Sequence, residues 1–228
     1  MEYEFRTYFP LSNYFKLFQD VSFIFDWENK TDQYERTCMV DAPNLKDSFY
    51  RKDIDGRLRL RRYLTIKEFD RNLEKINLEK LEYIEMSSYG KISWKKRLTS
   101  NKDLNVEEEI EYKVSYAEIE NCEQIFLKIL KCPIISSYEK LRSVFINNEV
   151  EISINIYPFG ISFEIESLSK NSDDIIIKYK KLLNMIQIQN SNLSCDDMYF
   201  KLCKNFGCKI KKDICFSDLE MPMIEDVF

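Results

Sequence analysis

Four glutamates in two alternating pairs are the side chains of this sequence best suited to metal chemistry. Glu2 and Glu4 open the chain, and Glu164 and Glu166 follow a turn at residues 157–160. In an extended strand, residues two apart share a face, so the carboxylates of one pair stand about 6.5 to 7 Å apart. Adjacent carboxylates repel one another and bind hard cations such as Mg²⁺ or Mn²⁺. For one such strand taken alone, a polar face in water is the simpler interpretation.

Basic residues alternate with other side chains in three further segments. They are Arg59 and Arg61 in the first, Lys95 in the second, and Lys140 and Arg142 in the third. Lysine and arginine bind phosphate oxygens, and arginine does so with two parallel hydrogen bonds. The segment with Arg59 and Arg61 is therefore consistent with a nucleic-acid-binding edge as well as with a solvated face.

The same alternation recurs along most of the chain and predicts β-strands. We expect them at residues 1–9, 32–40, 57–63, 92–98, 106–114, 138–145, 149–156 and 161–166. Each has an apolar side and a charged side, and the apolar side of 106–114 is expected to face the core. Amphipathic or capped segments predict helices at 12–20, 115–131, 172–186 and 196–205, and a helical insertion at 65–87. Ser12 and Ser172 are the expected helix caps.

Strands with one charged face and one apolar face need a polar environment on the first side and an apolar environment on the second. The predicted helices need an apolar surface to pack on, and the apolar strand faces provide one. A sheet closed into a barrel, with the helices outside, places the charged side chains in a lumen. Because burying so many unpaired charges is prohibitive, the lumen must be wide, hydrated and occupied by a ligand that matches both signs. A polyphosphate with divalent cations meets this requirement.

Composition limits both the chemistry and the partners. The 228 residues carry 34 basic and 39 acidic side chains, and this net charge of -5 argues against extended nucleic-acid or membrane-surface binding. The seven cysteines are scattered, and no apolar run is long enough to span a membrane, so we expect a cytoplasmic protein with reduced thiols. The absence of histidine excludes Ser-His-Asp and Cys-His catalysis. Carboxylates, lysine, arginine and a metal ion remain.

Six short motifs, colinear over residues 1–185, resemble those of one protein family. They are Glu2-Tyr3-Glu4-Phe5-Arg6, Leu58-Arg59-Leu60-Arg61, Ile92-Ser93-Trp94-Lys95, Glu109-Ile110-Glu111, Lys140-Leu141-Arg142 with Phe145, and residues 159–166. Together they resemble the CYTH domains, also known as triphosphate tunnel metalloenzymes. Three positions depart from the family pattern: Arg6 replaces a lysine, Glu107 an arginine and Asn155 an aspartate.

The resemblance implies an α+β fold: a closed, antiparallel, eight-stranded β-barrel with a charged lumen and helices packed on its outside. This domain would span residues 1–185, and residues 186–228 would form an extension packed on it. The implied metal ligands and catalytic residues, for Mg²⁺ or Mn²⁺, are Glu2, Glu4, Glu111, Glu164 and Glu166. The implied phosphate-binding residues are Arg6, Arg59, Arg61, Lys95, Lys140 and Arg142.

The activity that the resemblance implies is metal-dependent hydrolysis of a triphosphate held in the barrel. Expected substrates are inorganic tripolyphosphate and organic or nucleoside triphosphates. A class IV adenylyl cyclase and an RNA 5′-triphosphatase of mRNA capping, which would act on an RNA 5′ end, are alternatives within the family. Alternatives of other classes are a noncatalytic module that binds polyphosphate or nucleotide, and a scaffold whose charged strands face solvent.

Overall fold

The computed structural model describes residues 2–25, 30–51, 53–69, 78–100, 105–168, 177–178, 181, 203 and 211–217. The strands are β1 (Glu2–Phe9), β2 (Lys30–Val40), β3 (Gly56–Ile66), β4 (Tyr83–Ser100), β5 (Asn105–Ser115), β6 (Ile134–Ile146), β7 (Val150–Tyr157), β8 (Gly160–Ser167) and β9 (Asp213–Ile214). The helices are α1 (Tyr14–Phe25) and α2 (Tyr116–Gln124), and α2 continues into a π-helical segment, Ile125–Ile129. Short 3-10 turns occur at Leu11–Asn13, Leu45–Asp47 and Leu78–Lys80.

Strands β1 to β8 form a closed antiparallel barrel. Their order is β2-β3-β4-β5-β1-β8-β7-β6, and β6 pairs back with β2 to close the sheet. Each neighbouring pair in the barrel is antiparallel, whereas β9 adds a short parallel pairing to β6. The predicted eight-stranded barrel is therefore confirmed. The predicted turn between β7 and β8 is also present, and Gly160 has a φ of 151°, a conformation that favours glycine.

The main hydrophobic core lies outside the barrel, between the sheet and helix α1. Strand β8 illustrates the alternation: Phe163 and Ile165 are buried in this core, whereas Glu164 faces the interior of the barrel. Helix α1 contributes Tyr14, Leu17 and Val21 to the core. Burial of this apolar layer is the dominant favourable contribution to folding. The arrangement confirms that the helices pack on the outside of the barrel.

Helix α2 packs on the outer face of β4 and β3. Ser115 caps it through a capping box, in which the Ser115 hydroxyl accepts from the Glu118 amide and the Glu118 carboxylate accepts from the Ser115 amide. Ile119 is fully buried against Gly90 of β4. A Cβ atom at position 90 would lie 2.8 Å from Ile119 Cγ1, so only glycine allows the helix this close to the strand.

Two expectations about the elements are wrong in part, and two others fall largely outside the described residues. The helix expected at 12–20 begins at Tyr14, and Ser12 lies in a 3-10 turn with Pro10 as its N-cap. The helical insertion expected at 65–87 is strand at both ends, because β3 runs to Ile66 and β4 starts at Tyr83. Residues 70–77 lie outside the described residues. The helices expected at 172–186 and 196–205 also fall largely outside them, although residues 177, 178, 181 and 203 are helical.

The apolar outer face of β5 was predicted to face the core, but in the structure much of it is exposed. Ile110 and Tyr112 are 65% and 68% exposed, because α2 packs mainly over β4 and β3 and the described elements leave much of β5 uncovered. Alternation identified the two faces of this strand correctly, but it could not predict which outer elements would cover it.

Within the described residues, no helix is long and apolar enough to cross a membrane.

Candidate active site

The barrel encloses a cavity of about 570 Å³ with a strongly charged lining. Ten basic and six acidic residues of the described chain line it. The basic residues are Arg6, Arg57, Arg59, Arg61, Lys91, Lys95, Arg97, Lys140, Arg142 and Lys211, and the acidic residues are Glu4, Glu109, Glu111, Glu151, Glu164 and Glu166. The lumen is therefore lined by more basic than acidic residues in a chain whose net charge is -5. Such a lumen favours polyanions.

The sequence predicted eleven site residues, and the structure brings ten of them to this one cavity. These ten are Glu4, Arg6, Arg59, Arg61, Lys95, Glu111, Lys140, Arg142, Glu164 and Glu166. The eleventh, Glu2, starts β1 opposite Glu107 of β5, and its side chain lies outside the description. Side chains from six strands therefore converge on one space.

Strands β1 and β8 hold the acidic side of the cavity. Glu4 faces Glu166 across the two strands, and Arg6 faces Glu164. Arg6 Nη2 lies 2.8 Å from Glu4 Oε1, and Arg6 Nε lies 2.7 Å from Glu164 Oε1, so one guanidinium bridges two carboxylates. Burial raises the pKa of Glu164, but attraction to Arg6, Lys140 and other groups outweighs burial and lowers the pKa to about 2. Glu164 is therefore ionised at neutral pH.

Asn155, which stands in place of an expected aspartate, orients Glu164 through a serine. The Asn155 amide Nδ2 donates to Ser162 Oγ at 3.2 Å, and Ser162 Oγ donates to Glu164 Oε1 at 2.9 Å. Both Asn155 and Ser162 are fully buried. The side-chain carbonyl Oδ1 of Asn155 has no hydrogen-bond partner within the described part of the chain. A neutral amide thus positions one of the carboxylates without adding a negative charge.

The opposite wall of the lumen is formed by β3, β4 and β5. Glu109 lies among three basic side chains: its carboxylate oxygens are 3.5 Å from Arg59, 3.6 Å from Arg61 and 3.3 Å from Lys95. Glu111 accepts a hydrogen bond from Arg61 at 2.9 Å. The predicted metal ligand Glu111 is thus held by a cation, although it lines the same cavity as Glu4 and the β8 carboxylates.

Glu107, the second departure from the family pattern, also belongs to this charged interior. It is buried, pairs with Arg57 and lies 3.7 Å from Lys95. Burial raises its pKa, but the nearby cations outweigh burial and lower the pKa below its ordinary value. An acidic residue at this position therefore balances basic lumen residues. Arg57 shares a strand face with Arg59 and Arg61, and this spacing could have identified it as a lumen residue.

Glu35 of β2 is the most important residue that sequence reasoning missed. It is completely buried, accepts a hydrogen bond from Thr37 and lies 3.2 Å from Lys140 Nζ and 3.4 Å from Arg142 Nη1. Burial raises its pKa, but attraction to Lys140 and Arg142 dominates and holds the pKa well below the usual range. The signal was weak because its neighbours on the same strand face, Gln33 and Thr37, are neutral.

Four buried N–H groups in the lumen have no hydrogen-bond partner among the described residues. They are Nε and Nη2 of Arg59, Nε of Arg61 and Nε of Arg142. Leaving a buried donor unpaired costs about 1–3 kcal/mol, so such groups ordinarily bond to water or to a ligand. Guanidinium groups bind phosphate with short, charge-assisted hydrogen bonds. These donors are therefore available to an anionic ligand.

Aromatic side chains complete the lining, and the sequence analysis did not select them. Tyr63 and Tyr89 stack with their ring centroids 4.7 Å apart, and Tyr157 and Phe159 stack at 5.1 Å. All four residues line the cavity. The cavity thus combines charged walls with flat apolar surfaces.

The carboxylates of the lumen fit a divalent cation only in part. Among the described side chains, no group of three or more Cys, Asp or Glu residues is close enough to form a metal site by itself. Magnesium, however, is commonly bound through one or two carboxylates together with substrate phosphates. Glu4 and Glu166, which face each other across β1 and β8, can supply two such carboxylates. The residues therefore fit a cation that is shared with a bound phosphate.

Comparison with known proteins identifies the architecture. No family model and no curated protein matches the chain. Among solved structures, a protein from Pyrococcus horikoshii superposes with a TM-score of 0.58 at 16% identity, over 88% of this chain and 99% of its own. A Hippeastrum protein, described as a candidate adenylyl cyclase with a dominant triphosphatase activity, gives 0.54 at 15% identity over 92% and 98%. This chain therefore shares the fold of these solved structures.

The closed eight-stranded barrel that the resemblance to CYTH domains implied is confirmed by the structure. The same fold is also similar to a chain of the Schizosaccharomyces pombe Mediator head module, with a TM-score of 0.50 at 10% identity over 83% of this chain and 98% of that one. At such identities a shared architecture specifies the fold and not the reaction. The function must therefore be argued from the lumen.

Proposed function

We propose that the protein is a divalent-metal-dependent phosphohydrolase that acts on a triphosphate bound inside the barrel. The observation that carries this proposal is a set of buried N–H groups on Arg59, Arg61 and Arg142 that make no hydrogen bond among the described residues, in a lumen with more basic than acidic lining residues. A triphosphate offers several negative charges and many acceptor oxygens in a row, and therefore satisfies donors on several strands at once. The volume of about 570 Å³ suits a ligand of this size.

In this proposal the basic residues bind the phosphate chain. Arg59, Arg61 and Lys95 act from one wall, and Lys140 and Arg142 act from β6. Because these donors are held in place by neighbouring carboxylates, they need little reorganisation to stabilise negative charge that develops during phosphoryl transfer. Lys140, for example, is buried beside Glu35 and is only 6% exposed.

The acidic residues provide the other half of the site. Glu2, Glu4, Glu111, Glu164 and Glu166 are the residues that would hold Mg²⁺ or Mn²⁺. When bound, the cation polarises the phosphoryl group and orients a water molecule. The hydrogen bond from Ser162 fixes the Glu164 carboxylate, and the low pKa of Glu164 keeps it negatively charged.

The identity of the triphosphate is a separate question within the same proposal. Inorganic tripolyphosphate, thiamine triphosphate, a nucleoside triphosphate and a triphosphate-ended RNA all present the same phosphate chain to the lumen. A cyclase would use the same contacts and release pyrophosphate with a cyclic nucleotide. The products therefore distinguish the hydrolase from the cyclase, and the substrate panel distinguishes the hydrolases from one another.

A noncatalytic polyphosphate-binding module is the second candidate. One observation favours it: the described carboxylates do not assemble a complete metal site by themselves. Such a module would use the basic lumen for binding alone. It predicts that a triphosphate binds and is not consumed.

The deciding experiment measures phosphate release from tripolyphosphate, ATP, thiamine triphosphate and triphosphate-ended RNA, each with Mg²⁺, Mn²⁺ or EDTA. Glu166→Gln is the matched variant, since it removes a lumen carboxylate at nearly constant size. Metal-dependent release that is lost in Glu166→Gln is the expected result. Calorimetric binding without release supports the module, and neither binding nor release removes both proposals.

A further inference from the structure

Arg6 occupies a position that a divalent cation would also seek. Its guanidinium lies 2.8 Å from a Glu4 oxygen and 2.7 Å from a Glu164 oxygen, and its single positive charge is therefore shared by two carboxylates on neighbouring strands. These carboxylates are also two of the proposed metal ligands. A cation that bound the same oxygens would have to displace the guanidinium or share its partners with it.

The phosphate-binding side of the lumen does not have this obstacle. The N–H groups of Arg59, Arg61 and Arg142 that make no hydrogen bond within the described residues can donate to phosphate oxygens without giving up an existing hydrogen bond. A triphosphate bound there would bring several negative charges into the cavity that Arg6 also lines. Arginine has five donors in a planar fork that match phosphate as well as carboxylate, so Arg6 can exchange one partner for the other.

We infer that Arg6 is an internal counter-ion that couples metal binding to phosphate binding. In the phosphate-free protein it holds Glu4 and Glu164; when a triphosphate binds, Arg6 pairs with the phosphate and releases the carboxylates to the cation. This inference rests on the proposed function, because it assigns an order of binding to the same site. By thermodynamic reciprocity, phosphate must then raise the affinity for the cation, and the cation must raise the affinity for phosphate.

Because the inference concerns binding, turnover is not needed to test it. Mn²⁺ is titrated into the protein without any phosphate compound and followed by calorimetry or electron paramagnetic resonance. Wild type is expected to bind Mn²⁺ weakly, and Arg6→Gln is expected to bind it at least about tenfold more tightly, since a cation in direct contact with the ligands has been removed. An unchanged affinity would overturn the inference.

Two further variants separate a local effect from a general change of charge. Arg59→Gln removes the same charge from the opposite wall, where Arg59 pairs with Glu109, and it should change Mn²⁺ affinity by less than about threefold. Combining Arg6→Gln with Glu4→Gln should abolish the gain. A gain of equal size in Arg59→Gln, or one that survives the loss of Glu4, would contradict the assignment to Arg6. Circular dichroism and thermal unfolding confirm that each variant is folded.

The order of binding has its own measurement. In EDTA, wild type should bind tripolyphosphate detectably, and Arg6→Lys should bind it more weakly, because lysine keeps the charge and loses the fork. A wild-type protein that binds tripolyphosphate only when metal is present would overturn the order. If the protein hydrolyses nothing and Arg6→Gln still gains Mn²⁺ affinity, the proposed function fails and the competition by Arg6 stands. If hydrolysis is found and Mn²⁺ affinity is unchanged, the inference fails alone.

Discussion

Glu35 of β2 and Lys140 of β6 are backbone partners across the strand pair that closes the barrel, and their side chains form an ion pair of 3.2 Å in the lumen. Both are buried, at 0% and 6% exposure. Arg142 shares the same carboxylate at 3.4 Å. The charges that would bind phosphate are therefore also part of the contacts that close the sheet.

The first prediction concerns stability. Replacing Glu35 by Gln removes the carboxylate beside the buried Lys140 and leaves Arg142 with Glu151 alone among the described residues, so the free energy of unfolding should fall by about 3 kcal/mol or more. Urea denaturation measures this change. Glu82→Gln is the control, because Glu82 pairs with Lys67 on the surface, and it should lower the free energy of unfolding by less than about 1 kcal/mol. Equal effects of the two substitutions would show that the Glu35 cluster has no special role in stability.

The second prediction concerns the loss of folding stability at low pH. The pKa of Glu164 is about 2 in the folded protein and about 4.3 in an unfolded chain, so the unfolded state takes up a proton first as the pH falls. The stability that Glu164 contributes is fully present above pH about 4.3 and is lost as the pH falls towards 2. Denaturant midpoints measured from pH 6 to pH 3 should fall, with a shallower slope in Glu164→Gln. Parallel slopes would refute this contribution.

The third prediction concerns Asp32, whose contribution to stability has the opposite pH dependence. Burial raises the pKa of Asp32 to about 6, and a hydrogen bond from Ser143 at 2.6 Å offsets burial only in part. Because the folded pKa lies above the unfolded value of about 3.9, stability from this group is present at low pH and is lost as the pH rises through 6. Asp32→Asn should therefore reduce the difference in unfolding free energy between pH 5 and pH 7. Ser143→Ala, which retains the carboxyl group, should not reduce it.

The contact between α2 and β4 gives a fourth prediction. Gly90→Ala places a methyl group against Ile119, so helix and strand must separate, and the free energy of unfolding should fall by about 1–3 kcal/mol. Thermal unfolding measures the change. Gly90→Ala should cost less when it is introduced into an Ile119→Ala variant, because the two γ-carbons that crowd position 90 are then absent and only the Cβ of residue 119 remains. Full additivity of the two substitutions would contradict the close packing.

The fifth prediction tests a proposed metal ligand. Glu4→Gln should lower turnover of the best triphosphate substrate by about 100-fold or more, because the amide removes a charged ligand oxygen. Its thermal midpoint should stay close to that of wild type, since glutamine has nearly the same size and Arg6 keeps its ion pair with Glu164. Glu123→Gln removes a carboxylate that pairs with Arg62 outside the cavity and should retain activity. Full activity of Glu4→Gln would exclude Glu4 from the site.

The sequence was sufficient for the strands and most of the site because alternation reports directly which residues share a face. Arg59 and Arg61 are two apart on β3, and both line the cavity as the spacing requires. The closed sheet followed because charged faces could not also be the surface on which helices pack. The periodicity that predicted the fold is thus the same periodicity that selected the candidate site residues.

What the sequence did not predict depends on long-range packing. Glu35 has neutral neighbours on its face, so only the pairing of β2 with β6 reveals its two cationic partners. The exposure of Ile110 depends on where α2 comes to rest, and no local pattern encodes that position. The bridge from Arg6 to Glu4 and Glu164 likewise requires the register of β1 against β8.

The alternation of the barrel strands also helps to fix the register in which neighbouring strands pair. If β8 shifted by one residue against β1, Glu164 would move into the hydrocarbon layer under α1 and Phe163 would move among the lumen charges. Each charged lumen residue thus penalises a shift of its own strand by an odd number of residues. The residues that give the interior its charge therefore also help to fix the register in which the sheet closes.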